Sequence, residues 1–576
     1  MNRPPRGPVA PVVCVLTKRG RLIVAEPLFE PGDRISLPGK AQGDARVGDL
    51  VLVGGGKRGA RVVRRIGRPS VARDVLEGLM LHEGLRRTFP RAVEEEAAEA
   101  AATPLTPKGR RDLRDLTTFT IDPIDARDFD DAISAGEEPG GRARIWVHIA
   151  DVSAYVHPES VTESEAFRRG TSVYVPGAVE PMLPQALSNE ACSLKPGVER
   201  LAVTVEMEMD GATVRSVAFH RSLIRSDARL NYEQVDAVFA GDLKAEEPWA
   251  GPLAIARRVA AALNEARLER GSALEVESTE PSFEFDDRGD IVAVHHDEQT
   301  ESHRLIEHLM ILANEKVAEH LAERKVPTLY RVHERPDPRA VESLVAKLEA
   351  LDVPTPPVPK DMTAQQAADL VGAISRTVSD YVRKTGRGRW VFPSLVLRAL
   401  QKAYYSPKNL GHAGLASVRY CHFTSPIRRY PDLVVHRGLL AALGLDEHPP
   451  RGSEMEEAGA ASSAAERSAM GVERQAQDVC FAFLLERRLR DDHDQEFEGE
   501  ITGVIGAGAF VRFGDEGFEG FLPRRRIRGD RFHLNETETA LVGEHSGRAM
   551  RLGDPVTVQV DRVDAPRGRV DLIPVG

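Results

Sequence analysis

Cysteine is scarce in this sequence. The 576 residues include four, Cys14, Cys192, Cys421 and Cys480, and no two share a CxxC spacing. That excludes a disulfide-stapled scaffold, a zinc ribbon and a thioredoxin-like motif, and leaves structural thiols. Long apolar runs are also missing. No stretch approaches the ~18 residues of a membrane span, and residues 1–11 lack the apolar core of a signal peptide, so a cytoplasmic protein is expected. Overall basicity is absent too: 77 Lys and Arg stand against 88 Asp and Glu, a net charge of −11, whereas nucleic-acid binders usually carry a basic footprint. The sum hides a segregation. Residues 1–69 hold 14 Lys or Arg against five Asp or Glu, and this surplus of nine leaves the rest of the chain at −20.

What is present is ordinary for a globular protein. With 41% hydrophobic and 29% charged residues, global disorder, collagen and fibrous coil are excluded. At roughly 150 residues per domain the length predicts about four units, or one large catalytic domain with smaller appendages. Short β-branched runs at 12–16, 21–28, 49–55 and 61–67, separated by Gly and Pro, predict a small basic β-barrel over 1–69. Gly54-Gly55-Gly56-Lys57 resembles a phosphate loop only superficially, because Val51 replaces the first glycine and Arg58 the Ser or Thr. Residues 70–104 read as a helical acidic linker, with EEEAAEAAA at 94–102 ended by Thr103-Pro104. From 105 to 495 strands and amphipathic helices mix, interrupted by a Pro-rich loop at 352–360 and a Ser/Ala/Glu-rich stretch at 452–468. Residues 496–576 are β-patterned again. The fold class is therefore α+β, a large mixed domain flanked by small OB-type barrels.

The most informative stretch is TFTIDPIDARDFDDAISA at 118–135, which places Asp122, Asp125, Asp128, Asp130 and Asp131 within ten residues. Bounded by Phe119, Ile121, Phe129 and Ile133, such a cluster needs protons, cations or metal ions to be stable. A calcium loop fails, because Ile133 falls where glycine is needed if Asp128 is first, and Ile124 at the second ligand position if Asp122 is first. Oxygen-only ligands favour Mg²⁺ or Mn²⁺ over zinc, and two such ions about 4 Å apart suit in-line attack of water on a phosphodiester. A solvated acidic turn is the commonest fate of an Asp run, and the run alone does not decide between the two.

Further strings supply context: RGTSVYVPG at 169–177, MLPQALSNEACSL at 182–194, YRVHERPDP at 330–338 and FTSPIRRYPDLVVHR at 423–437. With IDPIDARDFDDA they resemble, in order over roughly 105–495, the catalytic (RNB) domain of the RNase II / RNase R family of exoribonucleases. The resemblance implies processive removal of nucleotides from the 3′ end of RNA, releasing nucleoside 5′-monophosphates with Mg²⁺. It implies that Asp122, Asp128, Asp130 and Asp131 are the catalytic and metal-binding carboxylates, with Asp125 outside the quartet. Tyr174 resembles the aromatic that stacks on the terminal base, a sequence-blind contact worth ~1–3 kcal/mol per base. Arg428 matches the arginine supporting the scissile phosphate, Glu307 the glutamate at the 3′-terminal sugar, and Tyr232 an aromatic favouring RNA through sugar contacts. Glu473 is left unassigned because the local alignment is ambiguous. His148, His333 and His436 are read as hydrogen-bonded core residues rather than a general base.

Relatives often carry a second aromatic in the stretch matching 272–278, where this sequence has Glu275 and Val276, so a one-sided base clamp is expected. Residues 496–576 resemble an S1 RNA-binding domain, with Phe510, Phe513 and Phe521 as candidate stacking residues beside Arg524, Arg525, Arg526 and Arg528. Many relatives have two cold-shock barrels before the catalytic domain. The roughly 105 residues here leave space for one OB-like barrel and the linker, with a winged helix as the alternative and a less covered RNA entrance as the consequence. Single-stranded RNA is the expected partner of a monomeric chain. Two rivals remain: a catalytically silent RNA-binding protein, opposed by the intact quartet, and a deoxyribonuclease, opposed by Tyr232 and the S1 module.

Overall fold

The computed structural model describes residues 11–37, 41–56, 59–269, 280–445 and 449–575. Strands Val12–Arg19, Leu22–Pro27, Ile35–Ser36, Leu50–Gly56 and Gly59–Gly67 form one five-stranded sheet in which the first strand lies between the second and the fourth. Its own core is small: Cys14, Leu16, Ala25, Leu37, Ala45, Val51 and Val53. The described part of 12–67 contains no helix, which removes the winged-helix alternative. Among the described residues the outer strands Ile35–Ser36 and Gly59–Gly67 are not hydrogen-bonded to each other. Gly54 to Gly56 run within a strand, while Lys57 and Arg58 lie outside the described residues.

Two helices follow, Ala72–His82 and the acidic Arg91–Ala102. Glu96 of the second accepts a hydrogen bond from the Thr162 backbone N–H at 2.7 Å, tying it to helix Val161–Arg169. The aspartate-rich segment lies in a seven-stranded sheet, in spatial order Ala228–Asn231, Phe119–Asp122, Asp131–Glu138, Arg142–Ala150, Glu199–Asp210, Thr213–Arg225 and Arg111–Asp112. β-branched and apolar residues at alternate positions, Ile145, Val147 and Ile149 opposite Val203, Val205 and Met207, turn one face inward. Helices Ala250–Glu269 and Glu301–Arg324 cover that face through Leu253, Ala256, Val259, Leu305, Leu309 and Leu312.

The Ser/Ala/Glu-rich stretch at 452–468 does not interrupt the fold. Most of it forms the first half of helix Met455–Arg488, and its small residues permit close packing: a Cβ on Gly459 would meet the Tyr405 carbonyl oxygen at 2.8 Å. Ser463 accepts from the Tyr405 N–H at 2.9 Å. The second half of this helix shares one core with the N-terminal sheet, helices Pro338–Ala350, Ala364–Thr385 and Val391–Arg398, and a closed C-terminal barrel. The barrel strands are Glu496–Ile505, Gly508–Phe513, Phe518–Pro523, Arg569–Pro574 and Pro555–Asp564. Of the three candidate stacking residues Phe513 is fully buried in it, whereas Phe510 and Phe521 are half-buried neighbours with ring centroids 5.2 Å apart. No helix among the described residues is long and apolar enough to cross a membrane.

Candidate active site

The carboxylates sit where a strand ends and its antiparallel neighbour begins. Asp122 is the last residue of Phe119–Asp122 and Asp131 the first of Asp131–Glu138, with Asp128 and Asp130 in the loop between. The loop is fastened from several sides. The Ser193 hydroxyl accepts from the Phe129 N–H at 3.0 Å and donates to the Arg127 carbonyl at 2.9 Å, so one buried side chain holds both neighbours of Asp128. The Leu194 N–H binds the Phe129 carbonyl at 3.0 Å. Arg229 donates to the carbonyls of Pro123 and Ile124. The string SNEACSL thus serves the aspartate loop rather than a separate site.

Burial, and after it the charge of Asp131, raises the proton affinity of Asp122. Burial likewise raises Asp131 against the pull of Arg428 and Arg429. Asp130 is raised as well, again by burial first. Asp128 adds to the repulsion felt by both Asp122 and Asp130. Asp122 Oδ2 is buried without a hydrogen-bond partner, with the Thr120 hydroxyl nearby but outside hydrogen-bond geometry. Among the described residues no three His, Cys, Asp or Glu side chains stand in ligand geometry, so the quartet is gathered without closing on a common point.

The SPIRRY string reaches this cluster from helix Tyr430–Ala442, where Pro431 in the first turn suits a helix start. The Ile427 N–H donates to Asp130 Oδ1 at 2.8 Å, and Arg428 Nε lies 3.8 Å from Asp130 Oδ2. Arg428 stays half exposed, while Arg429 turns inward to Asp432 at 2.7 Å. The same segment straps the hairpin carrying Tyr174: the Ser172 N–H binds the Arg428 carbonyl at 2.9 Å, and the Tyr430 N–H binds that of Gly170 at 3.0 Å. Val173 and Val175 point into the core, so strand alternation turns Tyr174 outward, 39% exposed. Its hydroxyl donates to Asp128 Oδ2 at 3.3 Å, and burial together with the Asp128 charge keeps the phenol protonated.

Tyr232 begins helix Tyr232–Ala240 directly after a strand that pairs in parallel with Phe119–Asp122, Asn231 lying opposite Asp122. Burial, then the charges of Asp131 and Asp122, raise its phenol pKa, whereas Tyr174 responds to Asp128 and Asp130. Glu307 is exposed on helix Glu301–Arg324, one turn beyond His303, whose ring stacks on Tyr232. No hydrogen bond joins Glu307 to the aspartates among the described residues. Residues 272–278, with Glu275 and Val276, lie outside the described residues.

The histidines stay in the core. His148 is bracketed by Ser134 and Thr204 at 3.0 and 2.9 Å, and burial pushes its pKa down to about 3. His436 binds the Phe423 carbonyl at 2.8 Å, and His333 accepts from the Gly414 N–H at 3.3 Å. Glu473, left unassigned from sequence, is at the site: its carboxylate accepts the Tyr174 N–H at 2.9 Å from the long helix, 299 residues away in the chain. Burial raises its pKa.

Residues 110–444 match the RNB domain model and 490–573 the S1 RNA binding domain model. The chain belongs to the RNB family. Ribonuclease R of Aquifex aeolicus is 38% identical over 452 residues, covering 77% of this chain and 62% of that protein. The chain spans between 55% and 62% of the length of the first curated relatives, all named Ribonuclease R. The RNB fold is matched in full by Mycoplasma genitalium RNase R in complex with ribose-methylated single-stranded RNA, with TM-score 0.85, 24% identity, and 98% of this chain and 90% of that one covered. Yeast Ssd1, described as a pseudonuclease, shares the fold at TM-score 0.69 and 17% identity over 94% of this chain and 68% of its own.

Proposed function

We propose that this chain is a metal-dependent hydrolytic 3′→5′ exoribonuclease of the RNase R kind, degrading single-stranded RNA processively to nucleoside 5′-monophosphates. Fold cannot decide the point, since a pseudonuclease shares it. The observation that carries the reading is the meeting of four mutually repelling carboxylates with Arg428 and Tyr174 at one place. A catalytically silent protein would gain by losing such carboxylates, because buried like charges are costly without a cation.

The donor set fits a hard divalent cation. It is all oxygen, Asp122 Oδ2 is an unsatisfied buried acceptor, and the raised proton affinities mark a site short of positive charge. We assign Asp122, Asp128, Asp130 and Asp131 as its ligands, with Mg²⁺ the expected ion and Mn²⁺ an alternative. Bound there, a divalent cation supplies the charge that lets the carboxylates ionise together and lowers the pKa of attacking water. Arg428 holds the scissile phosphate through its exposed guanidinium. Tyr174 gives the terminal base a sequence-blind face to stack on, its hydroxyl held by Asp128 and its backbone N–H by Glu473. Tyr232 and Glu307 line the side where the terminal sugar lies.

The test is uniformly labelled single-stranded RNA incubated with Mg²⁺ or with EDTA. Release of labelled nucleoside 5′-monophosphates only in Mg²⁺, with few intermediates of partial length, is expected. Absence of release in Mg²⁺ with RNA binding intact would leave the silent RNA-binding protein as the correct reading.

A further inference from the structure

We infer that His303 is a positioning residue that sets the orientation of Tyr232 and thereby the preference for ribose over deoxyribose; this rests on the exoribonuclease reading. The two rings stack with centroids 3.7 Å apart and planes 14° from parallel. The backbone of Tyr232 is fixed independently, because the Asn231 side chain caps its helix by accepting the Gln234 N–H at 2.7 Å. The ring is not fixed in the same way. Among the described residues the Tyr232 hydroxyl has no hydrogen-bond partner, so rotation of the ring is limited by packing, and the largest flat surface against it is His303.

His303 is itself held by a built arrangement. Its Nδ1 lies 2.7 Å from the Thr300 hydroxyl at the helix start. The adjacent Ser302 anchors that helix start to the helix of Tyr232: its N–H and hydroxyl donate to the two carboxylate oxygens of Asp236 at 3.1 and 2.9 Å, and the hydroxyl also reaches the Tyr232 carbonyl at 3.3 Å. The first turn of one helix is thus docked on the first turn of the other, and the imidazole is laid flat over the phenol. Tyr232 faces the Asp122–Asp131 end of the carboxylate cluster, and Glu307 stands one turn further on the helix that carries His303. A hydroxyl without a protein partner, held at a fixed angle beside the reacting sugar, is available to the 2′-OH, the group that distinguishes RNA from DNA.

The experiment uses the full chain and RNA and DNA oligonucleotides of one sequence. Wild type, His303→Ala, His303→Phe, Thr300→Val and Tyr232→Ala are compared by the RNA/DNA ratio of kcat/KM and by the RNA/DNA ratio of the association constant 1/Kd, the latter with Asp130→Asn added so that cleavage is not required. His303→Ala is expected to lower the RNA/DNA ratio about tenfold toward that of Tyr232→Ala, an effect the size of one aromatic pair. His303→Phe, which keeps a flat ring, is expected to restore most of it, and Thr300→Val to lower it partway. An RNA/DNA ratio unchanged in His303→Ala, or lowered equally in His303→Phe, would overturn the inference. A fall in rate on both strands with the ratio constant would also overturn it, since that is the signature of a merely structural residue. If His303→Ala does not fold, the Phe and Thr300 variants decide by the same ratio. A wild-type chain that cleaves neither strand would refute the exoribonuclease reading, while the binding ratio would still decide the role of His303.

Discussion

Asp122, Asp130 and Asp131 all bind protons more tightly in the folded chain than an unfolded aspartate does, chiefly because burial disfavours their charge. A carboxyl whose pKa is raised by folding makes the native state take up protons, so stability is highest where the group is protonated and declines as pH rises past the usual carboxylate range. Between pH 6 and 8 the buried histidines oppose this trend: burial lowers His148, His412, His422 and His436, so the unfolded chain takes up protons at these sites near pH 6 and their contribution to stability grows as pH rises. Asp151, which two arginines hold far below the usual range against its burial, stays ionised throughout. The aspartate share is therefore read as a difference from Asp130→Asn: from pH 6 to pH 8 the melting temperature of metal-free wild type is expected to fall relative to that of the variant, with Mg²⁺ raising the wild-type value at pH 8. Calorimetry in EDTA and in Mg²⁺ checks both, and a melting temperature indifferent to Mg²⁺ at pH 8 would count against a shared cation site. Asp130→Asn keeps the volume and removes a carboxyl whose proton affinity burial raises. It should remove that aspartate's share of the pH dependence, shrink the Mg²⁺ shift and retain RNA binding, while cleavage falls by about a hundredfold or more, as when a transition-state contact is lost.

Elements are held together by contacts that a linear motif does not reveal. The aspartate run alone left a solvated turn open, and SVYVPG and SPIRRY stood out only because these short strings resemble the RNB family. Glu473 was not legible, because a single glutamate on an amphipathic helix looks solvated until the fold brings Tyr174 to it across 299 positions. Which of Phe510, Phe513 and Phe521 belongs to the core was not legible either, because in a closed barrel strand alternation decides which side faces in, and that places Phe513 inside. Another contact of this hidden kind is Glu500, on the first barrel strand, whose buried carboxylate accepts the N–H groups of Arg389, Trp390 and Val391 at 3.1 to 3.3 Å at the start of helix Val391–Arg398. It caps a catalytic-side helix from the S1 barrel. Caps of this kind are worth about 0.5–2 kcal/mol. Glu500→Ala should leave both parts folded but loosen their joint, seen as several-fold faster limited proteolysis at residues 489–495, with Glu500→Gln intermediate. Unchanged cleavage in Glu500→Ala would show that Arg387–Asp554 and Arg551–Asp352 hold the barrel without it.

At the scale of the whole molecule, the net charge of −11 is a sum of parts with opposite tasks. Some of the negative charge belongs to the carboxylates that we assign to a cation, and the positive charge gathers in the N-terminal sheet and along the arginine turn of the S1 barrel. Not every arginine there is free to meet a phosphate. Arg65 is committed to Asp49 at 2.8 Å and Arg526 to Asp561 at 2.7 Å, whereas Arg61 and Arg525 are exposed and make no ion pair among the described residues. Binding to single-stranded RNA releases counterions in proportion to the phosphates neutralised, so the slope of log K against log salt falls by ~0.7 for each contact removed. Arg61→Ala and Arg525→Ala should therefore each weaken RNA binding at low salt and flatten the slope by about that amount if they meet the strand. Arg65→Ala and Arg526→Ala, which break pairs already made, should change the slope less and affect stability more. Titration of a fluorescent oligonucleotide at several salt concentrations, with cleavage blocked by Asp130→Asn, measures all four. Equal slopes across the set would mean that RNA reaches the catalytic cluster without touching either basic patch.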